Sequence, residues 1–402
     1  MANSPNDPAQ LLASLLEGGQ AMMRHFGMRM EVASFAQILF NPVAQAKFVH
    51  TVAAGYVTAC MFVLGVSSWY LLKARDTNFA LRSFAVAAGF GLASALSVIV
   101  LGDESGYTTG ESQKVKLAAI EAEWTTQKPP ASFAVFGIPN DKEQRTDYAI
   151  HFPWLLGLIA TRSTTEEVKG IKDLKEEHLA RIESGLIAYG QLQKLRSGDR
   201  SAETRAMFDR HKDDLGFGLL LKKYTPNVVD ATPEQKRMAA DDTIPQVAPL
   251  YWSFRLMVTL GIWFLAIFAA AFYFLAIRNL AAQRWLLLLA FYSIPLPWVA
   301  AEAGWIVAEY GRQPWTISGV LPTLLSVSSI PASHVYASLA AFIVFYTGLL
   351  IIEMYLMVKY IKLGPGSLRT GRYFGEPAVA VPVLRSGVTS TARSSESDEG
   401  QP

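Results

Sequence analysis

The stretch LMVTLGIWFLAIFAAAFYFLAI, residues 256–277, decides the fold class. Its 22 residues carry no charged side chain and lie between Arg255 and Arg278. At about 1.5 Å per residue, a helix of this length crosses the roughly 30 Å hydrocarbon core of a bilayer. The stretch therefore predicts a membrane-spanning α-helix.

Four further stretches have the same length and character, and 51% of the 402 residues are hydrophobic. The expected spans are residues 48–72, 83–102, 256–277, 285–308 and 333–358. The net charge of +2 is small, and the basic residues are scattered rather than grouped into a nucleic-acid-binding patch. We therefore expect an all-α membrane protein with five transmembrane helices, and no nucleic acid partner.

Basic residues mark one side of this bundle. They occur in residues 73–82, at Arg278 and Arg284, and after residue 358, where Lys359, Lys362, Arg369 and Arg372 follow the last span. In a five-helix chain these three segments fall on the same side, and the positive-inside rule makes that side cytoplasmic. The N-terminus, residues 103–254 and the turn at Arg312 are then expected on the outer side.

The chain divides on this basis into five parts. They are a polar and amphipathic segment (1–47), spans one and two (48–102), an external loop (103–254), spans three to five (255–358) and a partly disordered cytoplasmic tail (359–402). Residues 114–124, 166–193 and 202–212 predict helices, so the large hydrophilic loop is expected to be mostly helical, with a solvated helical hairpin. Cys60 is the single cysteine, so the loop folds without disulfides.

A cluster of polar and aromatic side chains follows the fourth span. Glu302, Trp305 and Glu309 share one helix face because their spacings are three and four residues, and Arg312 follows in the turn GRQPW, residues 311–315. Ionisable groups at membrane depth are costly and usually serve a function. The alternative is an interfacial belt that anchors a helix end.

His50 and Met257 are the second candidate site. Each lies near the outer end of its span, so they are expected at similar depth on separate helices. An imidazole and a thioether are suitable axial ligands of a low-spin haem, and Arg255 is suited to a haem propionate. On spacing alone, a hydrogen-bonded histidine and a core methionine are the simpler explanation of the pattern.

Two further features of the fourth span bear on the site. Glu309 is suited either to a high-spin iron or to a proton entry point, and the residues leave this choice open. Pro295 and Pro297 lie in the middle of the span and predict a kink.

With these residues placed, the chain resembles subunit I of the cytochrome bd-type quinol oxidases, in the branch with a long quinol loop. The resemblance runs over about residues 28–374. The motifs that carry it are NPVAQ (41–45), KFVHT (47–51), GDESGY (102–107), KLAAIEAEW (116–124), KYTPN (223–227) and GRQPW (311–315).

The resemblance implies cofactors and site residues. His50 and Met257 match the ligands of a low-spin haem b, and Glu309 matches the acid at a high-spin haem b, with Trp305 beside it. We expect three further cofactor-binding groups, which are Arg255, Glu302 and Arg312. A haem d would complete the oxygen-reducing site.

The same resemblance implies a reaction and partners. Lys116 and Glu121 match the quinol-side residues, so quinol is oxidised at the outer face and electrons pass to oxygen. Protons for water formation come from inside, which generates a proton motive force without a pump. The expected partners are quinol, oxygen, subunit II, a small accessory subunit and the bilayer of a bacterial inner membrane.

One departure from the family pattern concerns the N-terminus. Members carry about four further N-terminal helices, with a histidine ligand of the high-spin site, and residues before 48 contain no expected span. His25 is a weak candidate to replace that ligand. We therefore expect either a truncated start or a missing half supplied by another polypeptide, with activity only in the presence of that half and subunit II. The alternatives are a haem b electron-transfer protein without oxygen reduction, an inactive subunit that acts in assembly, or a membrane receptor or scaffold.

Overall fold

The computed structural model describes residues 34–368. The predictions for His25, for Arg369 and Arg372, and for the disordered end of the tail lie outside these residues.

The described chain is almost entirely helical, with two short hairpins. The helices are α1 (Phe35–Leu39), α2 (Pro42–Leu72), α3 (Thr77–Ser112), α4 (Lys114–Glu121), α5 (Leu155–Ala160), α6 (Ile171–Arg196), α7 (Ala202–His211), α8 (Leu215–Leu219), α9 (Pro233–Asp242), α10 (Val247–Ala276), α11 (Arg284–Tyr292), α12 (Leu296–Glu309) and α13 (Ala332–Leu363). The strands are β1 (Phe133–Asn140), β2 (Arg145–Phe152), β3 (Trp315–Ile317) and β4 (Leu321–Pro322).

The predicted all-α membrane fold is confirmed. Helices α2, α3, α10 and α13 are each long and apolar enough to span a bilayer. Helices α11 and α12 together form a fifth candidate span, with a bend of 45° between them.

The bend lies where the two prolines predict a kink. Proline lacks the N–H that would continue the helical ladder, so the helix breaks between Tyr292 and Leu296. In this break, the Ser293 hydroxyl accepts a hydrogen bond from Trp263 Nε1 on α10 at 3.0 Å. The Ile294 side chain lies in the space that a Cβ on Gly65 would fill. The interruption is therefore packed and hydrogen-bonded rather than open.

The membrane core forms where α2, α3, α10 and α11 meet. Its fully buried side chains include Met61, Leu64, Phe84 and Phe268. A Cβ on Gly91 of α3 would lie 2.3 Å from Phe268 Cε1. Close helix packing therefore depends on the small residues of α3.

Helix α3 extends ten residues beyond the expected span, to Ser112. Its outer end carries Asp103 and Glu104, which pair with Arg162 from the loop. The Arg162 guanidinium also lies over the Tyr107 ring, at 4.2 Å from its centroid. These contacts stabilise a charged helical extension that a hydropathy pattern does not reveal.

The loop contains a hairpin that the sequence patterns did not predict. Strands β1 and β2 pair in antiparallel fashion, with Phe133 opposite Phe152 and Asn140 opposite Arg145. The predicted helix at 114–124 ends earlier, because Ala122 adopts a left-handed conformation (φ +52°) that turns the chain. Helices α6 and α7 form the expected helical hairpin, joined by a turn at Gly198 (φ +105°).

The last span, α13, has no buried residue among the described side chains. Its C-terminal end is tied to the α2–α3 turn, because the Tyr70 hydroxyl donates to the Ile361 carbonyl and Arg75 donates to the Lys362 carbonyl. Two of the three basic segments thus lie together, in agreement with the expectation that they share one side.

Candidate functional site

His50 lies near the outer end of α2. This helix starts at Asn41, whose side chain accepts hydrogen bonds from two backbone N–H groups, and Pro42 occupies the first helical position. The imidazole packs on α3, where a Cβ on Gly102 would lie 3.2 Å from Cε1. The backbone of Val98 on α3 is the polar partner of the imidazole, whose Nδ1 is buried and makes no hydrogen bond of ideal geometry. A histidine that a backbone group orients in this way is typical of a metal ligand.

Met257 lies near the outer end of α10. Its sulfur approaches α12, at 3.0 Å from the position that a Cβ on Gly304 would take. Helices α2 and α10 both pack against α3 and α12, so His50 and Met257 lie on helices that share two neighbours. Imidazole and thioether are the donor set of a low-spin haem, and a glycine on the facing helix accommodates each donor side chain. The residues present therefore fit a haem.

Arg255 joins this region to the loop. Its side chain is only 10% exposed, and Nη2 lies 3.2 Å from Oε2 of Glu121, which is 4% exposed. The guanidinium also donates to the carbonyls of Ile120 and Ala134 and lies 3.3 Å from the Tyr251 ring centroid. The sequence predicts that Arg255 binds a haem propionate. In the structure its guanidinium pairs with Glu121, and of its nitrogen atoms only the buried Nε has no partner among the described residues.

Glu121 is the last residue of α4. Burial raises the pKa of its carboxyl to about 7, although the Arg255 charge and hydrogen bond act in the opposite direction. A carboxyl with a pKa near neutrality is suited to accept and release protons.

Lys116 is buried between α4 and the end of α12. Its Nζ donates a hydrogen bond to the Ala308 carbonyl at 2.9 Å, and its Cε lies 3.0 Å from the position of a Cβ on Gly311. Burial, and secondarily the charge of Lys47, lower the pKa of Lys116 to about 8. The glycine of the GRQPW turn thus makes room for this lysine.

Glu309 and Arg312 form an ion pair at the outer end of α12. The next residues enter the β3–β4 hairpin, whose Trp315 is buried against Phe217 of α8 with ring centroids 4.9 Å apart. The long loop therefore packs directly on the segment that follows the ion pair.

Glu302 and Trp305 lie on the same helix but are not brought into this network. Both are exposed, Trp305 to 63%. Within the described residues, this face of α12 therefore points outward rather than into a protein interior.

Sequence reasoning missed Glu123 and Gln127. Gln127 Nε2 donates to Glu123 Oε2 at 2.6 Å, beside the Glu121–Arg255 pair. Burial raises the pKa of Glu123 to about 7, and the nearby charge of Glu121 adds to the effect. The signal available in the sequence was a second acid two residues after Glu121.

Comparison with known proteins gives a consistent picture. The family described as cytochrome bd terminal oxidase subunit I matches residues 18–365. Cytochrome bd-II ubiquinol oxidase subunit 1 of Escherichia coli is 42% identical over 343 residues, which cover 85% of this chain and 67% of that protein. Cytochrome bd ubiquinol oxidase subunit 1 of Bacillus subtilis is 27% identical over 84% of this chain and 60% of its own length.

A solved structure supports the fold. The bd oxidase from Geobacillus thermodenitrificans superposes with a TM-score of 0.61 at 21% identity, over 88% of this chain and 68% of that chain. This chain thus spans roughly three fifths to two thirds of the length of the relatives that it matches.

Proposed function

Because the chain belongs to the cytochrome bd terminal oxidase subunit I family, we propose that it oxidises quinol and delivers the electrons toward oxygen. The quinol site lies on the loop side of the membrane, which is the outer side of a bacterial inner membrane. A low-spin haem b, a high-spin haem b and a haem d would supply the electron-transfer and oxygen-binding chemistry when bound. Protons for water formation come from the opposite side, so a proton motive force arises without pumping.

The observation that carries this proposal is the buried Arg255–Glu121 ion pair. It places the candidate proton acceptor of the loop in contact with the helix that carries Met257, two residues beyond Arg255. A site that couples proton removal to electron transfer needs these two functions side by side.

His50 and Met257 would hold the low-spin haem, which supplies a one-electron acceptor when bound. His50 offers a partly buried imidazole oriented by the Val98 backbone, and Met257 offers a sulfur next to Gly304. Arg255 retains an unpartnered, buried Nε that is suited to an anionic group on this cofactor.

The quinol-side chemistry belongs to Lys116 and Glu121. An ionised Glu121 accepts a proton from a quinol hydroxyl, and Lys116 provides a hydrogen-bond donor and positive charge for the oxygen that loses it. Burial keeps both groups away from bulk water, so their proton affinities are matched to neutral pH.

The oxygen-side chemistry is assigned to the outer end of α12. Glu309, paired with Arg312, is the proposed acid at the high-spin haem b, and the exposed Trp305 and Glu302 extend the same surface. This surface forms one wall of the site. Groups outside the described residues, subunit II and a small accessory subunit are proposed to complete the assembly.

Reduced-minus-oxidised spectra of membranes that contain the assembled complex test the proposal. A low-spin b signal together with high-spin b and d signals, and quinol-dependent oxygen consumption, are expected. A low-spin signal alone would instead favour an electron-transfer protein that does not reduce oxygen. A complex without any haem would overturn the proposal and favour a receptor, scaffold or assembly role.

A further inference from the structure

Glu123 is held in a fixed position beside the quinol-side residues. Its backbone N–H donates to the Ala118 carbonyl of α4, and its carbonyl accepts from Ile171 at the start of α6. The side chain is partly buried and takes a hydrogen bond from Gln127. Glu123 thus connects the buried end of α4 to the exposed part of the loop.

The orientation of the Gln127 amide is determined by its other partners. Its Oε1 accepts from the Ser132 backbone N–H at 2.8 Å and from the Ser132 hydroxyl at 3.0 Å. Since a backbone N–H can only donate, the amide NH₂ must face Glu123. The backbone of Gln127 is fixed as well, by a two-way bridge to Val168.

The hydrogen-bond donor to Glu123 is the neutral Gln127 amide, whereas the donor to Glu121 is the charged Arg255 guanidinium. An amide N–H can donate to a carboxylate and to the carbonyl oxygen of a protonated carboxyl. Glu123 therefore gains or loses a proton without leaving a buried cation unpaired. Protonation of Glu121, by contrast, leaves the Arg255 charge without its counter-ion, which favours passing that proton onward.

We propose that Glu123 is a second proton-accepting carboxylate of the quinol site, which receives protons through Glu121 and releases them to the aqueous phase on the loop side. This inference rests on the proposed quinol oxidation. It assigns Glu123 a role in proton transfer through Glu121 and does not require contact with the substrate.

The stoichiometry of the reaction supports a second acceptor. Oxidation of one quinol to quinone breaks two O–H bonds and releases two protons and two electrons. The bound cofactor of the proposed function would accept the electrons, and the two protons need acceptors on this chain before they reach solvent. Because Glu121 and Glu123 have similar proton affinities, Glu121 can pass its first proton to Glu123. It is then free again before the second proton arrives.

The charged and titratable groups around Glu123 come from three elements. Glu121 is on its own segment, and Arg255 with Tyr251 lies on α10. His151 on β2 contacts the Ser132 hydroxyl at 3.3 Å. Ser132 is in turn linked to Glu123 through Gln127. Gln127 lies between Glu123 and Ser132. Because its side chain is an amide, it holds Glu123 in place and does not carry a proton itself.

The test uses the complete membrane complex with Glu123→Gln, Glu123→Asp and the exposed control Glu143→Gln. Ubiquinol-1 oxidation is measured across pH 6 to 9, with the low-spin haem signal and ubiquinone-1 binding as readouts independent of turnover. In E123Q we expect kcat to fall roughly tenfold, with KM, haem signal and ubiquinone-1 binding retained. The pH profile should lose one ionisation near 7, E123D should restore most of the rate, and E143Q should match the parent.

Three outcomes separate this inference from the proposed function. Parent-like kcat and pH profile in E123Q, with Glu121→Gln inactive, would overturn the Glu123 role alone. A complex in which the parent itself oxidises no ubiquinol-1 would overturn both. If E123Q loses its haem signal, the Gln127→Leu variant provides the test. Loss of the amide donor should raise the pKa of Glu123 and move the pH profile of ubiquinol-1 oxidation to higher pH. An unchanged pH profile would refute the role of Glu123.

Discussion

Arg255 and Glu121 form a buried ion pair, Nη2 to Oε2 at 3.2 Å, between a membrane-spanning helix and the last residue of a loop helix. Backbone carbonyls from Ile120 and Ala134 complete the environment of the guanidinium. The pair therefore fixes the position of α4 relative to α10, and with it the geometry between the proposed proton acceptor and the proposed haem ligand.

Arg255→Gln should leave Glu121 buried without its cation. Breaking a buried pair by removal of one partner typically costs about 3–5 kcal/mol, so Glu121 is expected to become protonated instead. Quinol oxidation at pH 7 should then fall by at least about tenfold and recover in part at higher pH. The exposed pair of Arg145 with Glu143 and Asp147 provides the control, because Arg145→Gln should leave the rate unchanged. Equal losses in both variants would contradict a specific role of Arg255.

His50→Ala and Met257→Ala should each abolish the low-spin haem b signal. An axial ligand is lost in each case, whereas the matched changes His334→Ala and Met238→Ala affect exposed side chains. Difference spectra of isolated membranes measure the result. Survival of the low-spin signal in either ligand variant would show that the assignment is wrong.

Quinol oxidation should increase as the pH rises through about 7. Burial raises the pKa of Glu121 from its ordinary range to about 7, so the carboxyl is protonated and unable to accept a proton below that pH. The rate should therefore fall by up to about tenfold for each pH unit below 7, reach its maximum between about 7 and 8, and decline above about 8 as Lys116 loses its proton. Stopped-flow measurements of kcat/KM between pH 5.5 and 8.5 check this sign. A rate that rises toward acid pH would exclude Glu121 as the acceptor.

Gly91→Ala should destabilise the membrane core. The added Cβ would lie 2.3 Å from Phe268 Cε1, and overpacking of this kind typically costs about 1–3 kcal/mol. Gly55 of α2 has no neighbouring atom within 4 Å of an added Cβ, so Gly55→Ala is the matched control. Thermal unfolding in detergent, followed by loss of the haem signal, should show a lower midpoint only for Gly91→Ala.

Gly216→Ala should loosen the contact between the long loop and the β3–β4 hairpin. The new Cβ would lie 2.1 Å from the Gly319 carbonyl oxygen, which belongs to the backbone and has little freedom to move. Gly190→Ala, with its Cβ 3.7 Å from the nearest atom, is expected to be neutral. Limited proteolysis of the loop should be several-fold faster in the first variant only, and equal rates would contradict the close approach.

The membrane spans were predictable because hydrophobic length alone identifies them, and the kink followed from Pro295 and Pro297. The hairpin of β1 and β2 was not, because its alternation is interrupted and its turn, residues 141–144, has no strong turn signal. The extension of α3 was also hidden, since its charged residues Asp103 and Glu104 pair with Arg162, which lies 58 residues beyond Glu104.

The site shows the same division. The residue types and depths of His50 and Met257 allowed a pair of haem ligands, and the family resemblance favoured that pair and singled out Lys116 and Glu121. The partners of these residues are long-range contacts, such as Lys116 with the Ala308 carbonyl, and a local pattern does not encode them. Arg255 was expected at a propionate, but its pairing with Glu121 became visible only once α4 and α10 were placed together.

The turn at Gly198 offers a practical use of the loop. Residues 196–201 at the tip of the α6–α7 hairpin are exposed, and no atom lies within 4 Å of the position of a Cβ on Gly198. A short epitope inserted there should leave the packed base of the loop intact. Antibody labelling of this epitope in spheroplasts before and after permeabilisation would then report on which face of the bilayer the loop resides, without any need for a functioning enzyme.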